Sequence, residues 1–309
     1  MKNEQLNLRA CVADALSRKV AVGHFNISNV EGFWAVVNAA KAVSEKVGKQ
    51  IPVIIGVSEG ERDFIGVKQV RALVDTVNAE KKADGSSAYP PIFLNADHTY
   101  SFDRVKEVID AGFDAAIFDG TELPFDENVA ITKKCVEYAR QKSKETGRDI
   151  LIEAELGFIG KSSKVLDAIP EGVSFGEEAL TKVDVAKAFV EATGVDMLAP
   201  AIGNMHGMLK NMHKPALNIA RIADISTALG IPLVLHGGSG DSESDFVKAI
   251  ESGIGIVHIN TELRVAFRDA LKLFLQQNPD EVAPYKYLTS ARNAMQEVAE
   301  HKLIVFNKL

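Results

Sequence analysis

Cysteine is almost missing from this chain: Cys11 and Cys135 are the only two among 309 residues. Neither belongs to a Cys-x-x-Cys pair or another metal-ligand spacing. That excludes a disulfide scaffold and a thiolate zinc site, and leaves two core thiols suited to a reducing cytoplasm. An excess of positive charge is missing too. The formal net charge is −7, so a nucleic-acid binder, which needs a basic face, is not expected. No apolar run approaches the roughly 18 residues of a membrane span. Residues 1–21 lack the apolar core of a signal peptide, so a cytoplasmic protein off the membrane is expected. No Gly-x-Gly-x-x-Gly follows an early strand and no Walker loop is present. Gly160-Lys161-Ser162 resembles the tail of a Walker loop, but the first glycine's position is held by Glu155. There is no low-complexity segment and no interdomain linker. Histidine is scarce, at seven residues, and where these fall carries most of the information.

What is present is ordinary globular composition, 46% hydrophobic and 25% charged. Eight short apolar runs read as strands: residues 20–25, 52–57, 91–96, 115–118, 150–154, 197–202, 232–235 and 254–259. Amphipathic stretches over 30–44, 67–79, 102–111, 127–144, 183–192, 219–229 and 243–251 alternate with them as helices. A repeated strand–helix order implies a parallel sheet, and eight units imply a closed (β/α)₈ barrel. An open doubly wound sheet is the rival. Residues 1–309 fit one barrel domain. Helical stretches at 262–277 and 282–302 exceed what eight units need. They are expected to be extra C-terminal helices that cap the barrel or meet another subunit. Residues 80–90 form a loop before the third strand, and 158–179 a longer one after the fifth. A loop of that length at the site face is expected to be functional: mobile without substrate and closing over it.

Three histidines each close or follow an apolar run, in Asn95-Ala96-Asp97-His98, Asn204-Met205-His206-Gly207 and Val234-Leu235-His236-Gly237. The C-terminal ends of barrel strands converge on one mouth. Three imidazoles there, with one position left open, make a metal site of the catalytic kind. Asp97 could handle a proton beside them, or cap a helix near Ser101, for which Ser101 itself competes. Glu153 and Glu155, two apart, share a strand face and need a cation or donor; a divalent ion and a rim salt bridge both answer. Gly207 and the run Gly237-Gly238-Ser239-Gly240 offer bare backbone to an anion, or simply turn the chain. Loops after strands seven and eight are frequent phosphate sites in barrels, which adds Asn260, Thr261 and Arg264. Lys210 lies just past His206. His24 is expected to pack at the barrel rim, and His213 and His301 to be solvated.

The ordered set of motifs resembles the class II, metal-dependent ketose-bisphosphate aldolases, which act on fructose 1,6-bisphosphate and tagatose 1,6-bisphosphate. The carriers are Gly23-His24-Phe25-Asn26, Val57-Ser58-Glu59-Gly60, Ala96-Asp97-His98, Phe118-Asp119-Gly120, Glu153-Ala154-Glu155-Leu156-Gly157, Ile202-Gly203-Asn204-Met205-His206-Gly207, Leu235-His236-Gly237-Gly238-Ser239-Gly240 and Asn260-Thr261-Glu262. The resemblance implies a (β/α)₈ barrel and zinc, or another divalent ion, on His98, His206 and His236, with Glu155 as a second-site or alternate ligand. It gives Asp97 the C4-hydroxyl proton. Gly207, Lys210, Gly237, Ser239 and Thr261 would hold a phosphate, with a sodium or potassium ion beside it. Asn26 and Ser58 would line the substrate pocket. Arg264 is a candidate for the distal phosphate by proximity alone. A homo-oligomer, dimer or larger, is implied.

The chain departs from the family pattern in three places. The loop after Glu155 lacks the usual glycine pair and paired acids, and reaches acids only at Asp167 and Glu171. These two, Glu171 first, are the candidates for exchanging the carbon-bound proton. His258 stands where the family has Asn. Asn260 stands where fructose enzymes have Asp and tagatose enzymes often Ala. The expected reaction is reversible cleavage of fructose 1,6-bisphosphate to dihydroxyacetone phosphate and glyceraldehyde 3-phosphate. The alternatives are tagatose 1,6-bisphosphate or a related ketose phosphate, and a non-catalytic barrel that binds metal and sugar phosphate.

Overall fold

Eight parallel strands close on themselves. They are β1 (Val22–Asn26), β2 (Val53–Val57), β3 (Ile92–Thr99), β4 (Ala115–Phe118), β5 (Leu151–Leu156), β7 (Met197–Pro200), β9 (Leu233–Leu235) and β10 (Ile254–Ile259), in the circular order β1-β10-β9-β7-β5-β4-β3-β2. The computed structural model describes residues 7–160, 163–169, 173–210 and 214–309. Two further strands, β6 (Val165–Leu166) and β8 (Met208–Leu209), pair in parallel outside the barrel. This is a (β/α)₈ barrel, as the strand–helix alternation predicts.

The helices of the outer ring are α2 (Val30–Val47), α4 (Val67–Ala79), α5 (Phe102–Asp110), α6 (Phe125–Thr146), α7 (Val183–Thr193), α8 (Ile219–Leu229), α9 (Glu243–Glu251) and α10 (Thr261–Gln277). Their ends are written locally. Asn29, Ser101, Asn218 and Ser242 accept a first-turn N–H, and left-handed glycines close α2, α6, α7 and α8. Ser101 therefore caps α5, which leaves Asp97 free of that task. The extra C-terminal helix α11 (Pro284–Asn307) packs Met295, Ala299, Leu303 and Phe306 into the core beside α2 and α10. No described helix is long and apolar enough to cross a membrane.

Two helices escaped the sequence reading. In α1 (Leu8–Ser17), Leu8, Cys11, Val12 and Ala15 form one buried stripe. It plugs the N-terminal end of the barrel against Val22, Phe93, Leu151, Val234 and Ile256. The other, α3 (Glu59–Ile65), is too short to show a helical period. Both cysteines are free and buried.

Strand alternation divides the barrel interior into layers. Inward residues near the plug are apolar: Val22, Phe93, Leu151 and Ile256. Two residues further along the same strands they become His24, Asn95, Glu153 and His258, all buried. His24 is therefore no rim residue. It lies in register with His258 on the neighbouring strand, and Gly56 makes room for its ring, since a Cβ there would meet His24 at 2.0 Å.

Candidate active site

The C-terminal ends of β3, β7 and β9 bring His98, His206 and His236 together, each offering a ring nitrogen within 4.8 Å of the others. His98 Nε2 and His206 Nε2 are 3.2 Å apart. Tetrahedral ligands at about 2.0–2.1 Å from a zinc ion sit roughly 3.3–3.4 Å from one another, so the spacing suits a shared ion. Each ring is turned by a partner on its far side. Asp119 Oδ2 lies 3.1 Å from His98 Nδ1, the Gly160 carbonyl 2.6 Å from His206 Nδ1, and Glu153 Oε1 2.8 Å from His236 Nε2. Such outer partners fix which nitrogen faces the centre and raise its basicity. The inward His236 Nδ1 and Glu155 Oε2 are buried with no hydrogen-bond partner among the described residues.

Neighbouring strand residues normally face opposite sides, yet Asp97 and His98 both line the mouth. The pairing of β3 with β4 shifts register between Ala96 and Thr99, and His98 takes a left-handed φ of 38°. That conformation costs a non-glycine residue about 1–3 kcal/mol. Arg62, wholly buried, pins it: its guanidinium donates to the Val57 carbonyl at 2.7 Å, the Asp97 carbonyl at 3.1 Å and Thr99 Oγ1 at 3.1 Å.

The Asp97 carboxylate accepts from Asn26 Nδ2 at 2.8 Å and lies 3.5 Å from His258 Nδ1. His258 stacks between His24, at 3.5 Å, and His236, at 4.1 Å. Asn26 also donates to Glu61 at 2.9 Å, and Glu61 in turn holds Arg264 at 2.5 Å. Arg264 is thus committed to a buried carboxylate at the edge of the site. Ser58 starts α3, its N–H donating to Glu61 at 2.7 Å.

On the other wall of the same cleft lie Gly207, Gly237, Ser239, Asn260 and Thr261. Ser239 Oγ accepts from the N–H groups of Asn260 at 3.2 Å and Glu262 at 3.3 Å, at the start of α10. Its own O–H remains to donate, and the helix N-terminus favours an anion. Ser163, which the sequence did not single out, also lines this cleft.

Burial opposes charge throughout this cluster, and the neighbours decide the outcome. Burial pushes the Asp97 carboxyl up, but His98, His258 and His24 hold it well below the usual range. Burial works against the His98 imidazolium, yet Asp97, Asp119 and Glu155 raise it to about 10. Burial, with His98 and His236 nearby, lowers His206 to about 3. Burial lifts Glu155 to about 7. Four buried carboxyl groups, Asp97, Asp119, Glu153 and Glu155, thus crowd the three histidines. Such a site suits a divalent cation, which would discharge the carboxylates and take the orphaned nitrogen and oxygen.

Two residues singled out from the sequence are not drawn in. Asp167 and Lys210 are exposed, at 87% and 62%, and face each other at 3.6 Å. Glu171, Lys161 and His213 lie outside the described residues. The long loop is not free where it is described. Its strand β6 zips to β8, with the Lys164 and Leu166 carbonyls accepting from Met208 and Lys210 at 2.9 Å. Asp119, Glu153, Glu61, Arg62 and His24 carry parts of the site without having been given roles. The alternation Val22-His24-Asn26 and the Glu153/Glu155 spacing were the available signals for two of them.

A buried polar layer opening at the strand C-termini marks a barrel enzyme, since this fold does its chemistry there. Comparison with known proteins narrows the class. A family profile described as Fructose-bisphosphate aldolase class-II matches residues 6–309. The fructose-bisphosphate aldolases of Staphylococcus aureus (strain N315) and Geobacillus stearothermophilus are each 34% identical over 306 residues, covering 97% of this chain and 96% of the relative. The crystal structure of the YdjI aldolase from Escherichia coli K12 superposes with a TM-score of 0.75 at 28% identity, over 97% of this chain and 96% of that one. The chain belongs to the class II fructose-bisphosphate aldolase family, and it is a lyase.

Proposed function

We propose that this enzyme catalyses the reversible, divalent-metal-dependent aldol cleavage of a ketose 1,6-bisphosphate, with fructose 1,6-bisphosphate as the first substrate. The products are dihydroxyacetone phosphate and glyceraldehyde 3-phosphate. The observation that carries this reading is the buried Asp97 carboxyl, held by Asn26, beside three converging imidazole nitrogens. His98, His206 and His236 would hold the ion, zinc by donor type, and Glu155 would serve as an alternate ligand. When bound, the ion supplies positive charge against the enediolate oxygens that C3–C4 cleavage leaves.

The chain's own groups do the rest. Asp97 accepts the C4-hydroxyl proton during cleavage and returns it in condensation. Asn26 aims that carboxylate. The N–H groups of the Gly207 and Gly237 loops, the Ser239 hydroxyl and Thr261 bind a phosphate, and its binding energy orients the reacting carbons. The acid that exchanges the carbon-bound proton is assigned to Glu171 or, second, Asp167.

His258 and Asn260 face the same cleft as Asp97, and their departure from the family pattern supports tagatose 1,6-bisphosphate or a related ketose phosphate as the second reading. Cleavage of both bisphosphates, assayed before chelation, after it and after zinc return, tests the proposal. Activity on neither, or activity unchanged by full metal removal, would overturn it. The two buried free thiols support a cytoplasmic setting. The exposed Val282 and Tyr285, at 85% and 74%, support a homo-oligomer, which sedimentation measures.

A further inference from the structure

Lys214 enters the site from a direction the sequence motifs do not show. Its side chain is 3% exposed. The ammonium donates to the Met205 carbonyl at 2.8 Å and to the Gly237 carbonyl at 2.5 Å, and Asp241 Oδ1 is 3.7 Å away. Met205 precedes His206 and Gly237 follows His236, so one cation ties the two histidine-bearing loops together. These loops meet backbone to backbone: Gly237 sits at φ +66°, and a Cβ there would lie 2.3 Å from the Met205 oxygen.

Two carbonyl dipoles that share one small space repel each other, and burial removes the water that would screen them. A cation between them relieves this. Fixing both carbonyls also fixes the Met205–His206 and Gly237–Gly238 peptide planes, the first one residue before Gly207 and the second directly after Gly237, where the proposed phosphate subsite lies. Burial pulls the ammonium below its ordinary range, with Asp241 and Glu262 acting against that. An ammonium and a potassium ion are of similar size and take the same oxygen donors.

We propose that Lys214 is a positioning residue that supplies, as a tethered ammonium, the monovalent cation of the phosphate subsite, in place of a free sodium or potassium ion. The proposal rests on the phosphate subsite assigned above. The enzyme then needs no alkali cation.

Purified, metal-loaded enzyme is assayed in choline chloride and in potassium chloride at equal ionic strength, and inorganic phosphate binding is titrated calorimetrically in both. Wild-type kcat/KM and phosphate affinity are expected to be the same in the two salts. Lys214→Met should raise KM roughly tenfold or more, with kcat less affected. Lys214→Ala, which leaves a cavity, should regain KM and phosphate affinity with potassium or methylammonium. Divalent metal content and melting temperature are measured on each variant. A wild type that needs potassium overturns the proposal, as does a Lys214→Met enzyme with normal KM, or a Lys214→Ala defect that no cation rescues. If both variants fail to fold, the wild-type salt comparison decides. If no ketose bisphosphate is cleaved in any salt, the proposed reaction fails, while the phosphate titration still judges the lysine.

Discussion

Asp97→Asn separates proton transfer from metal holding. The substitution keeps the shape of the side chain and an oxygen for Asn26, 2.8 Å away, and removes the negative charge. A lost general base costs about 10²–10⁴-fold in kcat, which is about 2.7–5.4 kcal/mol of activation free energy at 1.36 kcal/mol per decade. The pH dependence follows from the direction of the shift. Wild-type Asp97 is held well below the usual carboxylate range, so its basic form is complete above that range and is lost only in stronger acid. Any fall in activity near neutral pH must come from other groups. The variant should therefore show the same pH profile at a lower height, with KM and metal content close to wild type. Steady-state kinetics across the neutral range, with metal analysis of the same samples, reads all three. A fully metallated variant with wild-type kcat would refute the base assignment. A loss of kcat in proportion to lost metal would show that the carboxylate serves the ion instead.

Glu153→Gln should weaken metal affinity by about 10–100-fold without unfolding the barrel, because it removes the charge that holds His236 Nε2; competition against a chromogenic chelator measures this. His98→Ala, His206→Ala and His236→Ala should each abolish cleavage and release metal, and full occupancy in all three would sink the ligand set. Gly237→Ala should lower the melting temperature and raise KM, because its φ of +66° and the Met205 oxygen leave no place for a Cβ; the strain alone is about 1–3 kcal/mol. Glu171→Gln or Asp167→Asn should slow solvent exchange of the dihydroxyacetone-phosphate C–H proton, followed by NMR, far more than it weakens substrate binding; wild-type exchange in both would place that acid elsewhere.

The three converging histidines were legible because each sits where a run of strand residues stops, and a barrel gathers such ends. His24 was misread for a related reason. Being near a strand end says less than being on the inward parity, and Val22, His24 and Asn26 share it with Ile256 and His258 on the neighbouring strand. Glu153 was seen as one of a pair, but only the closed barrel shows that it grips His236 while Glu155 faces His98 and the inward side of His236. Strands β6 and β8, two residues each, carry no period to detect. They exist because two loops from neighbouring barrel strands run side by side.

The sequence by itself determined the order of strands and helices, the caps that end them, and which strand ends carry the histidines that converge. Those features depend on the alternation of side chains and on contacts within a few residues. The tertiary structure decided which ring nitrogen faces the centre, how a register shift turns Asp97 and His98 to one side, and that Lys214 reaches two loops at once. Each of these depends on groups far apart in the chain that meet only when the barrel closes. Their hydrogen bonds and charges are set by that meeting, and no local pattern records it.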